Sequence, residues 1–466
     1  MTQYAVTRRE FLALGAGGIL AGVHSGGARA GNPPVFNIDL QTRILEVNGQ
    51  AAKVFGIEVD GKAGGLYTRF GPDFAARVNN GLGEDTLIHW HGLVPPIEQD
   101  GVPHLSGPEL AAGHSKNYLF ANSRTGTHWM HSHVGLQEQQ LLAAPLIVAE
   151  NGAALVDEQE HVVMLHDFTF RDPQEILAEL KAGGGMHAKH AGHKMTMAMA
   201  DIAYDAILAN DRTLADPDIV VAEKGGRFRL RVINGAAASN IWIDLGTLDG
   251  ELIAVDGNSI RPVKGKVFPL AIAQRADIRL SLPQGSGAYP ILFTVEGSVM
   301  RSGIVLKSGD APVARISERG EMTPTLDLSL EPQLRSIAEL PDDPVARTEI
   351  VTLTGGDNNY QWGLNGKSMM HDTLFSVRQG ERYEVVMQNL TTMAHPMHLH
   401  GHYFRVVGVD GQRFKGAIRD TVLVPVGGQV TIQFDADNPG TWAFHCHHLY
   451  HMNSGMMGAI AYTSAA

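Results

Sequence analysis

The sequence HCHHLYHMNSGMM, residues 445–457, carries the residue types that decide how this chain is built. It places five sulfur- or nitrogen-bearing side chains close together, namely His445, Cys446, His447, His451 and Met456. Thiolate and thioether sulfur suit Cu(I), imidazole suits both oxidation states, and two histidines with a cysteine and a weak axial methionine describe a blue-copper electron-transfer site. Such a site needs a further imidazole, and the segment HPMHLHGH, residues 395–402, is a candidate donor.

The cysteine-containing segment has a counterpart near the other end of the chain. GTHWMHSH at residues 126–133 aligns with GTWAFHCH at residues 440–447, and HWHG at 89–92 matches HLHG at 398–401. Internal similarity of this kind suggests a duplicated domain. Ser132 stands where the second copy has Cys446, so the first copy could hold copper through imidazole but could not form a thiolate centre.

Four His-x-His pairs dominate the remaining chemistry, namely His89 with His91, His131 with His133, His398 with His400, and His445 with His447. Residues two apart in a strand share a face and lie about 6.6 Å apart along the chain. Each pair can therefore reach two neighbouring metal ions more easily than it can chelate one. A single pair would be interpreted as surface or core histidines, but four pairs predict a metal cluster. Eight imidazoles over three copper ions leave open positions where dioxygen could bind.

Composition indicates an ordinary globular protein. A length of 466 residues suggests about three domains, and 44% hydrophobic with 18% charged residues is enough to form sizeable cores. The formal charge of −12 argues against a nucleic-acid partner and fits solubility or cationic substrates. A lone cysteine excludes an intramolecular disulfide and is reserved for metal in this interpretation.

The first 30 residues resemble a twin-arginine export signal. Arg8 and Arg9 precede a weakly apolar run, and a small-residue cleavage pattern ends at Ala30. The apolar run is about a dozen residues, whereas a membrane-spanning helix needs roughly twenty. We therefore expect recognition by the twin-arginine export machinery, cleavage near Gly31, a periplasmic product and no stable membrane anchor.

Short strands separated by turn residues predict an all-β fold, as 53 Gly and 22 Pro suggest. RFRLRVI, residues 227–233, and QVTIQF, residues 429–434, alternate in the way half-buried sandwich strands do. In the first of these, Phe228, Leu230 and Val232 would face the core and the arginines solvent. A helix is expected over 172–182, with Asp172 as N-cap and Pro173 in the first turn, and we expect it to lie on a loop.

Domain boundaries are predicted from composition. A polar stretch at 150–160 and five prolines between 312 and 344 separate three blocks. The predicted division is a signal peptide, a first domain, a middle domain, a linker and a third domain, at residues 1–30, 31–152, 153–310, 311–345 and 346–466.

The four motifs HWHG, HSH, HPMHLHGH and HCHHLYHMNSGM occur in this order, near opposite ends of the chain. In this the chain resembles the three-domain multicopper oxidases of the laccase and bacterial cuprous oxidase kind. The resemblance implies three consecutive cupredoxin-like Greek-key β-sandwiches. It also implies a type 1 copper in the third domain, a trinuclear cluster between the first and third, and a copper-free middle domain.

Position by position, the resemblance implies four copper ions and their ligands. The type 1 copper would be held by His395, Cys446, His451 and Met456. The type 2 copper would take His89 and His398, one type 3 copper His91, His131 and His447, and the other His133, His400 and His445. Four one-electron oxidations of a donor would then reduce dioxygen to two waters, with the strand around Cys446 as the electron path because alternation points the thiol and its flanking imidazoles to opposite faces.

Proton delivery requires a carboxylate, and Asp100 matches an acid that the family keeps near the type 2 copper. Its local alternative is a turn residue before Gly101. Some relatives have a second acid beside the H-C-H run, but Leu449 and Met452 occupy the nearby positions here. The second proton donor is therefore left unassigned.

Two features bear on the donor. An axial Met456 favours a lower reduction potential than a non-coordinating residue would, and so favours easily oxidised donors such as Cu(I), Fe(II) or electron-rich phenols, and Mn(II) only with difficulty. MHAKHAGHKMTMAM, residues 186–199, concentrates soft donors that could collect Cu(I), although a polar loop with incidental methionines is the alternative. Its candidate substrate-metal residues are Met186, His187, His190, His193, Met195, Met197 and Met199, in the middle domain rather than the third. Residues 369–371, Met-Met-His, could line another approach.

Other functions are weighed against the oxidase. A periplasmic copper-binding or resistance protein that sequesters copper is the main alternative, but storage has no need for a thiolate placed between two cluster ligands. A scaffold that has lost its metals would lack ligands, and none of the twelve is missing. A two-domain nitrite reductase would not need four His-x-His pairs.

Overall fold

The computed structural model describes residues 33–150, 156–183, 201–338, 341, 343–356, 359–368 and 372–463. The export signal predicted at 1–30, the methionine- and histidine-rich segment 186–199 and the residues 369–371 lie outside this part. Six β-sheets pair into three consecutive sandwiches, which confirms the expected all-β fold class. No helix in the described ranges has the length and apolar character needed to span a bilayer.

The first block is a sandwich of two four-stranded sheets. Its strands are β1 (Val35–Val47), β2 (Gln50–Val59), β3 (Leu66–Arg69), β4 (Phe74–Asn80), β5 (Ile88–His91), β6 (Ser115–Phe120), β7 (Gly126–Ser132) and β8 (Ala143–Ala149). The sheet orders are β2-β1-β4-β6 and β3-β8-β7-β5. A short 3-10 helix, Ile97–Gln99, follows β5 and leads into Asp100.

The middle block pairs a six-stranded sheet with a five-stranded one. Its strands are β9 (Gln159–Phe168), β10 (Ala206–Ala209), β11 (Asp218–Val221), β12 (Arg227–Asn234), β13 (Ile241–Asp244), β14 (Gly250–Val255), β15 (Asn258–Gly265), β16 (Val267–Leu270), β17 (Arg275–Ser281), β18 (Gly287–Val295) and β19 (Arg301–Ser308). The orders are β10-β9-β12-β17-β14-β15 and β11-β19-β18-β13-β16. One helix, α1 (Pro173–Lys181), follows β9, and a 3-10 turn, Glu331–Gln333, lies beyond the last strand.

The third block has a seven-stranded and a five-stranded sheet. Its strands are β20 (Val345–Gly355), β21 (Trp362–Leu364), β22 (Thr373–Val377), β23 (Arg382–Asn389), β24 (His395–Leu399), β25 (Phe404–Val409), β26 (Gln412–Arg413), β27 (Ile418–Arg419), β28 (Thr421–Val424), β29 (Gln429–Asp435), β30 (Thr441–Cys446) and β31 (Met457–Tyr462). The orders are β21-β20-β23-β29-β25-β26, with β27 on β25, and β22-β31-β30-β24-β28. A short helix, α2 (Leu449–Asn453), joins β30 to β31.

All three blocks share one strand topology. In one sheet of each, the first strand pairs in parallel with a later one, as in β1·β4, β9·β12 and β20·β23. The other sheet has its own parallel pair, β3·β8, β11·β19 or β22·β31. Parallel neighbours cannot be joined by a tight hairpin, so the chain must cross between the sheets. The repeat seen in the sequence of the two ends therefore extends, in topology, to the middle block.

The arginine face of β12 corrects one sequence expectation. Phe228, on the apolar face, is buried as predicted, but Arg231, on the other face, is buried too. Arg231 Nη1 lies 2.7 Å from Asp277 Oδ2 and 2.8 Å from Thr127 Oγ1 of the first block. This sheet is covered on both faces because the first block packs on its charged side.

Helix α1 begins as the sequence predicts. The Asp172 side chain accepts a hydrogen bond from the Gln174 backbone N–H at 2.7 Å, as an N-cap does. The expectation that the helix only decorates a loop is wrong. Ile176 and Leu180 are buried in the apolar cluster that forms the core of the third block, so α1 ties the middle block to the third.

Candidate metal centres

Strand pairing brings the four His-x-His pairs together. In the first block β5 and β7 are antiparallel, with His89 opposite His131. In the third block β24 and β30 are antiparallel, with His398 opposite His445. The two blocks thus present the same two-strand arrangement, and the eight imidazoles meet in the space between them, where all are buried.

Ring distances allow six of these imidazoles to be grouped into two triads, and the ring of His89 lies close to His131 of one and His400 of the other. In one triad, the ring centroids of His91 and His131 are 5.8 Å apart, and the ring of His447 is 5.1 Å from each. In the other, formed by His133, His400 and His445, all three centroid distances are 5.1 Å. Each triad mixes first-block and third-block residues, and the members of the pair His131 and His133 are divided between the two. Adjacent imidazoles of one strand therefore point into different groups of rings.

The remaining two imidazoles, His89 and His398, are held alike. The Nδ1–H of His89 donates to the Asp100 carbonyl and that of His398 to the Asp420 carbonyl, each at 2.8 Å. Both Nε2 atoms are buried without a hydrogen-bond partner. A hydrogen bond at one ring nitrogen leaves the lone pair of the other for a metal. The two rings therefore present ligand atoms.

Imidazoles of the triads also have one ring nitrogen in a hydrogen bond and the other without a partner. The Nδ1–H groups of His131 and His445 donate to the carbonyls of Ser132 and Cys446 at 3.0 and 2.9 Å. The Nε2 atoms of His131 and His447 are buried and unpartnered. His91 is reversed, since its Nε2 faces Asp420 Oδ1 at 3.2 Å and its Nδ1 is the unpartnered atom.

Burial favours the neutral, metal-binding form in seven of the cluster imidazoles. Desolvation is the largest cause that lowers the pKa of seven of them below the ordinary value, namely His91, His131, His133, His398, His400, His445 and His447. Unpartnered polar nitrogens in such a place are costly unless a ligand satisfies them. The donor set fits copper ions bound by imidazole alone.

A second centre lies within the third block. His395 Nδ1 is 3.5 Å from the Cys446 sulfur, His451 Nδ1 is 3.8 Å from it, and the two nitrogens are 3.2 Å apart. All three side chains are fully buried. Burial raises the pKa of the Cys446 thiol and lowers that of His451 to about 3. A thiolate here requires a nearby cation, and a bound metal ion supplies one.

Neighbouring groups orient this centre. The Thr391 hydroxyl lies 2.7 Å from His395 Nε2, which turns Nδ1 toward the sulfur. Met456 is fully buried in the same core. Its backbone N–H donates to the His451 carbonyl, and its carbonyl accepts from the Cys446 N–H, both at 3.0 Å. The indole of Trp362 covers His451 with ring centroids 3.9 Å apart.

Asp100 lies against imidazoles from both terminal blocks. It is fully buried, and its Oδ2 accepts from His400 Nδ1 at 2.8 Å while Oδ1 is 3.3 Å from His89 Nδ1. The turn interpretation also holds, because Gly101 has φ +90° and an added Cβ would lie 1.9 Å from the Ile88 carbonyl oxygen. The turn places the carboxylate, and the carboxylate contacts the cluster.

Sequence reasoning missed three acids near the centres. Asp420 contacts His91 and is held by Arg275 of the middle block, whose Nη1 is 2.7 Å from Oδ1. Asp201, also of the middle block, lies 3.5 Å from His451 Nε2. These contacts join residues far apart along the chain, and no sequence pattern marks them.

The third missed acid is Glu138, which lies five residues after His133. Its Oε2 is 2.9 Å from His131 Nδ1 and its Oε1 is 3.9 Å from His447 Nδ1. Burial, and then the charge of Asp167, raises the pKa of Glu138 well above its ordinary value. A copper ion held by the two histidines would counteract this, because opposite charge favours the ionised carboxylate.

Known proteins resemble the chain along its length. Three family models, each described as multicopper oxidase, match residues 41–152, 159–308 and 342–466. The Multicopper oxidase MmcO of Mycobacterium tuberculosis is 29% identical over 84% of this chain and 80% of its own. Copper resistance protein A of Escherichia coli is 27% identical over 88% and 91%. The crystal structure of a multi-copper oxidase from Pseudomonas thermotolerans superposes with a TM-score of 0.71 at 25% identity, covering 92% of this chain and 99% of that one.

Proposed function

The chain belongs to the multicopper oxidase family, and from that premise we propose how its residues divide four copper ions. The resemblance carried by the four histidine motifs is thereby confirmed. The protein is a copper-dependent oxidoreductase that couples oxidation of a metal ion or phenol to the reduction of dioxygen. The assignments below concern which residue does what.

Electron entry is assigned to the centre within the third block. His395, Cys446 and His451 would hold the type 1 copper, with Met456 as axial ligand, and the buried thiol with two converging Nδ1 atoms supports this assignment. Trp362 and the core of the block exclude water from it. Asp201 faces the outer nitrogen of His451 at 3.5 Å.

Dioxygen reduction is assigned to the interface between the terminal blocks. The type 2 copper would take His89 and His398, and the type 3 coppers would take the two triads, His91, His131 and His447, and His133, His400 and His445. When bound, copper supplies the one-electron redox chemistry that divides the reduction of dioxygen to two waters into single steps. The chain's own residues direct the imidazoles inward, because hydrogen bonds from the outer N–H groups leave the inner nitrogens for a metal.

A single observation carries this proposal, namely that strand β30 joins the two centres. Cys446 faces His395 and His451, while the adjacent His445 faces the triad of His133 and His400. A covalent path of three residues thus runs from the electron-entry site to the cluster. Copper storage, the main alternative, does not account for such a path.

Proton delivery is assigned to Asp100. Its carboxylate bridges His89 and His400 inside the cluster wall, so it can hold a proton beside the place where oxygen is reduced. A positioned acid of this kind typically contributes about 10²–10⁴-fold to rate.

Two further elements of the proposal concern the chain's organisation. We propose the domain bounds 31–152, 153–310 and 346–466, with a linker at 311–345, and the described strands fall within these domains except that β20 begins one residue earlier, at Val345. We also propose export by the twin-arginine route to the periplasm, with the signal at residues 1–30.

The experiment that tests the oxidase compares oxygen uptake with Cu(I), Fe(II), Mn(II) and a methoxyphenol, with and without added Cu(II). Oxygen consumption in proportion to donor oxidation is expected. Copper-loaded protein that consumes no oxygen with any of these donors would refute the proposal and favour storage.

The segment 186–199 is proposed to collect substrate copper through its methionines and histidines. Deleting it should lower Cu(I) oxidation and spare or raise phenol oxidation, because only the metal substrate needs soft donors. Steady-state oxygen uptake on both substrates measures this, with replacement by a Gly-Ser segment of equal length as the control. An equal loss on both substrates would indicate a structural loop.

A further inference from the structure

Three consecutive buried polar residues, Gln137, Glu138 and Gln139, lie in the turn between β7 and β8. We propose that Glu138 is a positioning residue that orients His131 of the first block and His447 of the third block toward the same copper ion. Gln137 and Gln139 hold Glu138 in place relative to all three blocks. This inference rests on the copper assignment proposed above and extends it.

The carboxylate faces the outer nitrogens of two imidazoles in one triad. Oε2 of Glu138 is 2.9 Å from His131 Nδ1, and Oε1, which is buried without a hydrogen-bond partner, is 3.9 Å from His447 Nδ1. The opposite nitrogens of both rings, the Nε2 atoms, are buried and unpartnered. The Nδ1–H of His131 also donates to the Ser132 carbonyl at 3.0 Å, so Oε2 of Glu138 shares this donor. Oε1 is the free acceptor beside the ring of His447, and a carboxylate can in this way serve two imidazoles.

Gln137 anchors the turn to the first block. Its Oε1 accepts hydrogen bonds from the hydroxyls of Thr86 and Ser132, both at 2.7 Å, and its Nε2 donates to the Asp85 carbonyl at 2.9 Å. With a further hydrogen bond from Nε2 to Glu84 Oε1 at 2.7 Å, they saturate the amide. The backbone beside Glu138 is therefore held in one position relative to β7, the strand that carries His131.

Gln139 anchors the turn to the other two blocks. Its Nε2 donates to the Asp167 carbonyl of the middle block at 3.0 Å. Its Oε1 accepts from Tyr204 of the middle block at 2.9 Å and from Tyr450 of the third at 3.2 Å. Tyr450 is three residues from His447. The hydrogen bond from Tyr450 therefore fixes the position of the turn relative to the end of β30, where the imidazole of His447 lies.

A purely structural role leaves the burial of Glu138 unexplained. Within the part of the chain that the structure describes, the basic nitrogens within 4 Å of this carboxylate belong to the imidazoles of His131 and His447, and its Oε1 is buried without a hydrogen-bond partner. Burying a carboxylate without a cationic partner is costly. A carboxylate that holds the outer nitrogen of a metal-bound histidine stabilises the metal site, which offsets the cost of burying the charge. Removing such a carboxylate typically lowers metal affinity about 10–100-fold.

The test titrates copper-free protein with copper and compares Glu138→Gln, Glu138→Asp and Glu138→Ala with wild type. Glu138→Gln is nearly isosteric, but its amide has one acceptor oxygen and serves one imidazole. It should lose about 10–100-fold in affinity for one type 3 copper, and the uncoupled partner copper should give a new electron paramagnetic resonance signal. Glu138→Asp, with two acceptor oxygens, should recover part of the affinity, and Glu138→Ala should lose most.

Glu296→Gln is the matched control, since Glu296 is a buried carboxylate of the middle block that hydrogen-bonds Asn240. The blue absorption should persist in every Glu138 variant, and the copper-free Glu138→Gln protein should unfold at a temperature similar to the control. Wild-type affinity for all coppers in Glu138→Gln and Glu138→Ala would overturn the inference. The inference would also be overturned if the Glu138 variants lost the blue copper, and the thermal stability of the copper-free protein, to the same extent as they lost the cluster copper. Failure of the proposed function would appear separately, as absent oxygen uptake by the wild-type protein.

Discussion

Strands β7 and β30 occupy equivalent positions in the first and third blocks, but their surroundings differ. Each lies antiparallel to a strand with a His-x-His pair, and His131 opposite His89 has its equivalent in His445 opposite His398. The imidazoles on one face meet in the cluster. The residues on the other face, Ser132 and Cys446, point into the interiors of their own blocks, and there the two copies differ.

The interior that faces Ser132 is a hydrogen-bonding network. Its hydroxyl donates to Gln137 Oε1 at 2.7 Å and accepts from the Val134 N–H at 3.0 Å. The interior that faces Cys446 holds two imidazoles whose Nδ1 atoms converge on the sulfur. A type 1 centre therefore depends on what the block packs against the strand as much as on the thiol.

The largest expected effect comes from making the third-block strand like the first. Cys446→Ser should abolish the intense blue absorption and all turnover, because thiolate is the ligand that gives a His₂Cys site its character. Cluster coppers should remain bound, since their imidazoles do not depend on the sulfur. Absorption spectra, copper content and oxygen uptake measure this. Blue colour in the variant would refute the type 1 assignment.

The next effect concerns Asp100, which contacts one imidazole from each terminal block. Asp100→Asn should slow reoxidation of the reduced protein by oxygen by about 10²-fold or more, because the amide cannot deliver a proton. Anaerobic reduction of the blue copper by a donor should stay unchanged. Stopped-flow absorption separates the two half-reactions, with Glu98→Gln, an exposed acid two residues earlier, as control. Unchanged reoxidation would remove Asp100 from proton delivery.

A smaller effect is expected from the hydroxyl that orients His395. Thr391→Val removes the contact at 2.7 Å with Nε2 and should weaken type 1 copper binding by about tenfold. The cluster should keep its copper, because the loss is confined to one block. Competition with a copper chelator, followed by the blue absorption, measures the affinity. A variant that loses cluster copper to the same extent would indicate general destabilisation instead.

The smallest effect should follow from making the first-block strand like the third. Ser132→Cys should create no second blue centre, because the interior beside it offers hydroxyls and an amide rather than imidazoles. Loss of the Ser132 hydrogen bonds should cost about 1–2 kcal/mol in the free energy of unfolding. Denaturant unfolding and the blue absorption per chain measure both. A doubled absorption would show that the thiol alone is sufficient.

The comparison also shows how far the sequence could be interpreted. Periodicity predicted an all-β chain, length and composition predicted three blocks, and the resemblance to multicopper oxidases implied that the His-x-His motifs of the two ends meet. The predictions failed at Arg231, which alternation places in solvent, and at α1, which was expected on a loop. Both errors arise where one block packs on another, because strand and helix periodicity report burial within a block only.

The chemistry-bearing residues were determined by the sequence itself. Ligand type at fixed spacing is a local property, so the lone Cys446 between two histidines and the Ser132 in its counterpart were sufficient to separate a thiolate centre from an imidazole cluster. Which carboxylates lie beside those imidazoles was decided by the tertiary structure. Glu138, Asp420 and Asp201 each lie near a histidine of another block. No motif spacing marks these acids, and only the packing of the three sandwiches brings them next to the imidazoles.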